Sequence, residues 1–259
     1  MINKRRLFIS VSIFALVICA VLYINTKYTV PVIMYHNIDE NSRISRLSVS
    51  PENFQRQMDF LSKNGYHVVS LPELADLIKD KRPLFKTLVI TFDDGYENNF
   101  KDAYPVLKKY NLPATIFIEV NSVGTPGYLS WGQIEQMSKS GLIDIGSHTL
   151  NHPYLAHIKD EALLRKEIFE SKKIIESKIN KPVLSFSYPG GGFNRHIIDL
   201  VKEAGYKISC ATNPGKRYPK NDTLALKRLR ISSTSDNLFV FWIETSGFYT
   251  WIKEIRDKD

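Results

Sequence analysis

Cysteine is nearly absent: the 259 residues hold 2, Cys19 inside an apolar N-terminal run and Cys210 far along the chain. A pair so placed gives no basis for an intrachain disulfide, so the fold must hold without covalent staples. Internal repeats and low-complexity tracts are missing, and no RNA-binding or zinc-finger signature occurs, which sets nucleic acid aside as a partner. Glycine (13) and proline (12) stand near ordinary usage, excluding a collagen-like or broadly disordered chain. What remains, 43% hydrophobic residues at this length, suits one large domain with one core. The formal charge of +8 suits an anionic membrane or wall, and equally a lysine-rich surface that meets only water.

Long apolar runs are missing too, with one exception. Lys4, Arg5 and Arg6 precede residues 7–24, which carry no charge, and Asn25, Thr26 and Lys27 restore polar character. Length and flanks predict one transmembrane signal anchor over 7–24, with 1–6 as a cytoplasmic basic end, 25–29 as a linker and 30–259 as the folded domain. Positive residues before the run keep the N-terminus in the cytoplasm, which makes this a single-pass protein of the cell membrane with its domain outside. A cleaved, secreted form is the alternative, but the apolar centre is long for a signal peptide and the small-residue sites near Ala20 are poor. Attachment of lipid at Cys19 is opposed by the bulky Ile18 before it.

From residue 30 on, short apolar runs alternate with longer amphipathic stretches, the pattern of an α/β domain. Strands are predicted at 30–35, 88–92, 114–119, 143–145, 184–188 and 207–211. Helices are predicted at 51–65, 98–110, 130–140, 159–178 and 195–204. Repeated βα units mean parallel strands covered by helices.

Polar residues concentrate directly after three of these strands, where an α/β barrel carries its active site. The first cluster, Thr91-Phe92-Asp93-Asp94-Gly95-Tyr96, runs an apolar strand straight into two carboxylates. Side chains alternate across a strand, so the two aspartates can face different tasks, one a metal and the other a water. Alone, the same residues also read as a turn whose aspartate caps the next helix. The second cluster, Ser147-His148-Thr149-Leu150-Asn151-His152, sets two histidines four apart; on one side of a helical turn both imidazoles reach a single ion. A chance pair in a surface loop is the plainer reading. Two imidazoles and a carboxylate, however, recur as a catalytic three-ligand site with one position open for water. The third, Phe186-Ser187-Tyr188-Pro189-Gly190-Gly191-Gly192, ends a strand in residues that let a substrate approach the backbone and offer N–H groups to an oxyanion, although a flexible turn explains it as well. His36 closes the first strand and so stands at the same end.

In order and spacing, TFDDG (Thr91 to Gly95), SHTLNH (Ser147 to His152) and SYPGG (Ser187 to Gly191) resemble the motifs of the polysaccharide deacetylases of carbohydrate esterase family 4, over most of residues 30–231. The resemblance implies an α/β fold, a distorted, incomplete (β/α) barrel, here preceded by one N-terminal transmembrane helix. It implies Asp93 as catalytic base and Asp94, His148 and His152 as ligands of a divalent metal, with Zn2+ expected and Co2+, Ni2+ or Fe2+ also suited to the donors. The chain departs from the commonest pattern twice. Ser187 occupies the place of an arginine that braces the base, and the late motif holding the acid histidine is not visible after Leu224. The domain opens instead with MYHNI (Met34 to Ile38), as in members similar to biofilm poly-N-acetylglucosamine deacetylases, where the first strand supplies the acid, here His36. Arg228 is the candidate for the missing brace, with Arg230 equally near. Tyr188, Pro189, Gly190 and Tyr96 are expected at the substrate. The implied activity is metal-dependent, extracellular N-deacetylation of an amino-sugar polysaccharide: poly-β-1,6-N-acetylglucosamine, peptidoglycan or a chitin-like polymer. A catalytically silent carbohydrate-binding protein on the same fold is the alternative, encouraged only by Ser187.

Overall fold

The computed structural model describes residues 4–40, 47–82, 84–212 and 222–256, so the expected cytoplasmic end at 1–6 lies partly outside it. The N-terminal run forms a helix, Lys4–Asn25. Within it Phe8–Asn25 has a mean hydropathy of 2.4 and 0% burial, and is long and apolar enough to cross a membrane. The join that follows is fastened to the domain. The Tyr28 hydroxyl donates to the Thr87 carbonyl at 3.2 Å, its ring meets Phe85 and Phe248, and the Thr29 N–H donates to the Gly247 carbonyl.

The described strands are β1 (Val32–Tyr35), β2 (Asn37–Ile38), β3 (Ser48–Val49), β4 (His67–Val69), β5 (Thr87–Phe92), β6 (Ala114–Ile118), β7 (Ile143–Ser147), β8 (Ser185–Ser187), β9 (Ile208–Ala211), β10 (Leu226–Lys227) and β11 (Leu229–Arg230). All but β2 and β3 join one sheet in the order β10-β9-β8-β7-β6-β5-β1-β11, with β4 beside the start of β5. Its pairings are parallel throughout. The two edge strands are consecutive in sequence: β10 pairs with β9, β11 pairs with β1, and only Arg228 lies between them. Segment 226–230 therefore seals the sheet into a nearly closed barrel.

Strands covered on both faces read as continuous apolar runs, and β1, β5 and β6 are buried along their whole length. One parity, with Val32, Val89, Phe117 and Cys210, lines the barrel and meets Leu71 and Leu74 of the helix Leu71–Lys79. The other, with Ile33, Ile90, Ile116 and Phe186, packs under the outer helices.

The helices predicted at 98–110 and 159–178 are each interrupted by a π segment, Asn99–Ala103 and Lys166–Glu170. In the first, Pro105 has no N–H to return to Lys101, and the turn before it widens. β4 and the helices Leu71–Lys79, Leu238–Thr245 and Tyr249–Arg256 go beyond the sequence expectation. The helix Leu71–Lys79 did leave a signal: Ser70 caps it, accepting from the Glu73 N–H at 3.3 Å, and Pro72 stands in its first turn.

Candidate active site

β5 runs into Asp93 and Asp94, and the backbone turns between them: Asp94 is left-handed at φ 69° and Gly95 follows at φ 73°. A Cβ at Gly95 would also meet Ile118 Cδ1 at 3.1 Å, so this turn asks for glycine. The carboxylates consequently part company.

Asp93, 3% exposed, faces Arg228. Nη1 and Nη2 of the arginine each donate to one carboxylate oxygen at 2.6 Å, a bidentate pair. Nη1 also donates to Thr91 Oγ1 at 3.3 Å and Nη2 to Ser187 Oγ at 2.9 Å, and the guanidinium carbon lies 5.5 Å from the Phe117 ring centroid. Because Arg228 is the single residue between β10 and β11, closure of the barrel is what aims it inward. Arg230 is exposed on β11. Burial alone would raise the Asp93 carboxyl, but attraction to Arg228 and His148 and the arginine's hydrogen bonds outweigh it and hold the group well below the usual carboxylate range. Asp93 is an anion at any ordinary pH.

Asp94 meets the two histidines. Nε2 of His148 and Nε2 of His152 each lie 3.6 Å from Asp94 Oδ1, and the donor atoms of the three residues fall within 4.8 Å of one another. His148 Nδ1 stands 2.8 Å from the Ser187 carbonyl. A carbonyl only accepts, so the proton is on Nδ1 and Nε2 turns its lone pair toward Asp94. Burial, opposed by the pull of Asp93 and Asp94, lowers the His148 pKa and favours the neutral ring that a metal requires. The set fits a divalent ion with one coordination position open.

The helical turn expected for the histidine pair is not there. Residues 148–152 form an irregular loop in which Thr149 (φ 71°) and His152 (φ 53°) are left-handed. Those two residues, rather than helical spacing, bring the rings to a centroid separation of 4.6 Å.

His36 leaves β1 next to the same carboxylates. Its carbonyl accepts from Asn99 Nδ2 at 2.8 Å, and its buried Nδ1 has no partner among the described residues. Burial lowers its pKa against the attraction of Asp93 and Asp94. Tyr96 stacks on Tyr128 at 5.1 Å beside Asp94; burial first, then the Asp94 charge, raises its pKa.

The glycine turn departs from expectation at two residues. Tyr188 is 0% exposed, its hydroxyl donating to the Leu224 carbonyl at 2.9 Å and its N–H to the Cys210 carbonyl at 3.0 Å, and Pro189 is buried as well. Both shore up the turn from behind, because the chain is still inside the barrel wall there, and neither side chain is open to a ligand. Gly190 is exposed at φ 60°, with the Tyr154 ring against it. Sequence reasoning missed Tyr154 and Tyr128, for which no pattern spoke. It also missed Glu167, which did leave a signal: a carboxylate in register with Leu164, Ser171 and Ile175 on the buried face of its helix.

A family model described as polysaccharide deacetylase matches residues 80–209. YxkH of Bacillus subtilis (strain 168), named for polysaccharide deacetylation, is 35% identical over 217 residues, 83% of this chain and 76% of its own. The poly-beta-1,6-N-acetyl-D-glucosamine N-deacetylase of Staphylococcus aureus (strain N315) is 27% identical over 222 residues, 81% of this chain and 76% of its own. The solved structure of IcaB from Ammonifex degensii superposes with a TM-score of 0.74 at 25% identity, covering 84% of this chain and 97% of that one. With a family model spanning half its length and a relative so similar over most of it, this chain belongs to the polysaccharide deacetylases, hydrolases that act on amide bonds.

Proposed function

We propose that this chain is a metal-dependent N-deacetylase of an N-acetylglucosamine polymer, with poly-β-1,6-N-acetylglucosamine its first candidate, held by its N-terminal helix to the outer side of the cell membrane. The observation that carries this reading is the pairing of two carboxylates with opposite surroundings: Asp93 bound to a buried arginine, Asp94 to two imidazoles. A divalent ion held by Asp94, His148 and His152, zinc in our reading, would polarise the acetyl carbonyl and acidify a water.

The chain's own residues then divide the proton work. Asp93, anionic and immobilised by Arg228, takes the proton of the attacking water. The arginine makes it a weak base but removes any cost of ionising it. His36 gives a proton to the departing amine nitrogen, so that water and amide leave as acetate and a free glucosamine amine. The exposed backbone at Gly190 admits the acetyl group, and Tyr96, stacked on Tyr128, flanks the site beside Asp94. The likeness to the Staphylococcus aureus enzyme and the histidine on the first strand favour the β-1,6 polymer over peptidoglycan and chitin-like chains.

Acetate release separates these cases. The protein is stripped with a chelator, and soluble poly-N-acetylglucosamine, chitin oligomers and peptidoglycan fragments are offered with and without restored zinc or cobalt. Acetate that returns only with metal and is absent in His148→Ala supports the proposal. A chain that binds one ion yet releases no acetate from any polymer would instead be a carbohydrate-binding protein.

A further inference from the structure

The loop 148–152 carries both histidines, and each of its backbone N–H groups has a partner. His148 donates to the Ile118 carbonyl at 2.8 Å, Thr149 to Ser147 Oγ at 3.2 Å and His152 to Thr149 Oγ1 at 3.0 Å. The remaining two, Leu150 at 2.9 Å and Asn151 at 3.0 Å, both donate to Glu167 Oε2. Glu167 Oε1 accepts from Asn151 Nδ2 at 2.7 Å. A carboxylate 2% exposed on the apolar face of a helix is costly to keep, and all its hydrogen bonds among the described residues go to the stretch between the two histidines.

Two further features belong to the same construction. The loop is strained: Thr149 is β-branched yet sits at φ 71°, a conformation that persists only where the surroundings over-determine it. The helix facing it is π-wound over Lys166–Glu170, the segment that holds Glu167, and such bulges re-aim side chains at functional sites. One turn on, Ser171 lies 2.8 Å from Ser147 Oγ, the group that takes the Thr149 N–H.

We infer that Glu167 is a positioning residue of the metal site: by accepting from Leu150, Asn151 and the Asn151 amide it holds the left-handed loop that turns His148 and His152 Nε2 toward Asp94. This rests on Asp94, His148 and His152 being the ligands. Without the carboxylate, the buried Leu150 N–H and the part-buried Asn151 N–H lose their acceptor, Thr149 and His152 relax from φ > 0, and the second imidazole leaves the site.

The test uses the full-length protein in detergent. Zinc affinity is measured by chelator competition, the ligand field by the absorption spectrum of the cobalt-substituted form, and stability by thermal unfolding without metal. Glu167→Ala is expected to weaken zinc binding about 10–100-fold, as loss of partners behind metal ligands does, and to change the cobalt spectrum. Ile175→Ala, on the same helix, is expected to lower the melting temperature alone. Glu167→Ala that melts lower but binds zinc as tightly as wild type overturns the inference. Should that variant not fold, Glu167→Asp keeps the charge but withdraws it by one methylene; folded and weaker for zinc supports the inference, unchanged affinity overturns it. A wild type that binds no zinc, or binds it equally well in His148→Ala, instead defeats the ligand assignment.

Discussion

Arg228→Met breaks the most buried ion pair of the site and leaves Asp93 as an uncompensated carboxylate. Arg228 is 4% exposed and Asp93 3%, and both arms of the guanidinium are spent on the carboxylate at 2.6 Å. Removing one partner of such a pair costs roughly 3–5 kcal/mol. At about 2–4 °C per kcal/mol for a chain of this size, the melting temperature should fall by roughly 6–20 °C near neutral pH. The pH dependence gives the sharper signature. In the wild type the folded-state pKa of Asp93 is depressed, so its stabilisation is present above the ordinary value of 3.8 and is lost only as pH falls below it. In the variant burial dominates and raises the folded-state pKa, so stability is lost as pH rises from 3.8 upward. The gap between the two proteins should therefore open between about pH 4 and pH 7. Adding Asp93→Asn to Arg228→Met should close much of it, since neutral groups replace a broken pair. Thermal unfolding of metal-free protein across this range is the assay. A loss below about 1 kcal/mol, typical of exposed pairs, or a loss independent of pH, would refute the reasoning.

Asp93→Asn alone should lower turnover about 10²–10⁴-fold, the usual worth of a general base, with metal content unchanged; near wild-type turnover would remove Asp93 from the chemistry. Asp144, at the opposite end of β7, accepts from Ser185 Oγ at 2.8 Å and Thr115 Oγ1 at 3.3 Å, and burial raises its carboxyl above 3.8 against those bonds and Lys181. The folded state then keeps a proton that the unfolded chain releases, so stability is lost as pH rises from 3.8 through the folded value. In Asp144→Asn this loss should vanish, and the melting temperature of the variant relative to wild type should climb with pH; a flat difference would contradict it.

The strand ends carrying Asp93, Asp94 and His148 were legible because buried parallel strands write unbroken apolar runs, and a charge that breaks such a run marks its exit. The loop between the histidines was not. Spacing of four fits a helical turn and an irregular loop alike, and nothing about a threonine announces a left-handed backbone. Tyr188 was misplaced at the substrate because a motif gives order along the chain but not which way a side chain leaves the wall. The choice between Arg228 and Arg230 was open for a related reason. β10 and β11 hold two residues each, too few for alternation to show, and a slip of one residue exchanges inside for outside.

That seam also changes the meaning of Ser187. In the sequence it looked like the loss of a bracing arginine, the one feature favouring a silent protein. In the fold, Ser187 is 0% exposed and its hydroxyl takes the Arg228 Nη2 hydrogen at 2.9 Å. Two arginines could not both fill this space: a guanidinium at position 187 would enter the volume that Arg228 occupies against Phe117 and Asp93. The small residue on β8 and the arginine between β10 and β11 are therefore one arrangement, in which the charge reaches Asp93 from the closing seam. Arg228 ties that seam to β5 through Asp93 and Thr91 and to β8 through Ser187, beside closing strands that pair over only two residues each. The same ion pair then holds the Asp93 carboxylate in place and helps keep the barrel shut, which is why its loss should register first as lowered stability and only then as lost turnover.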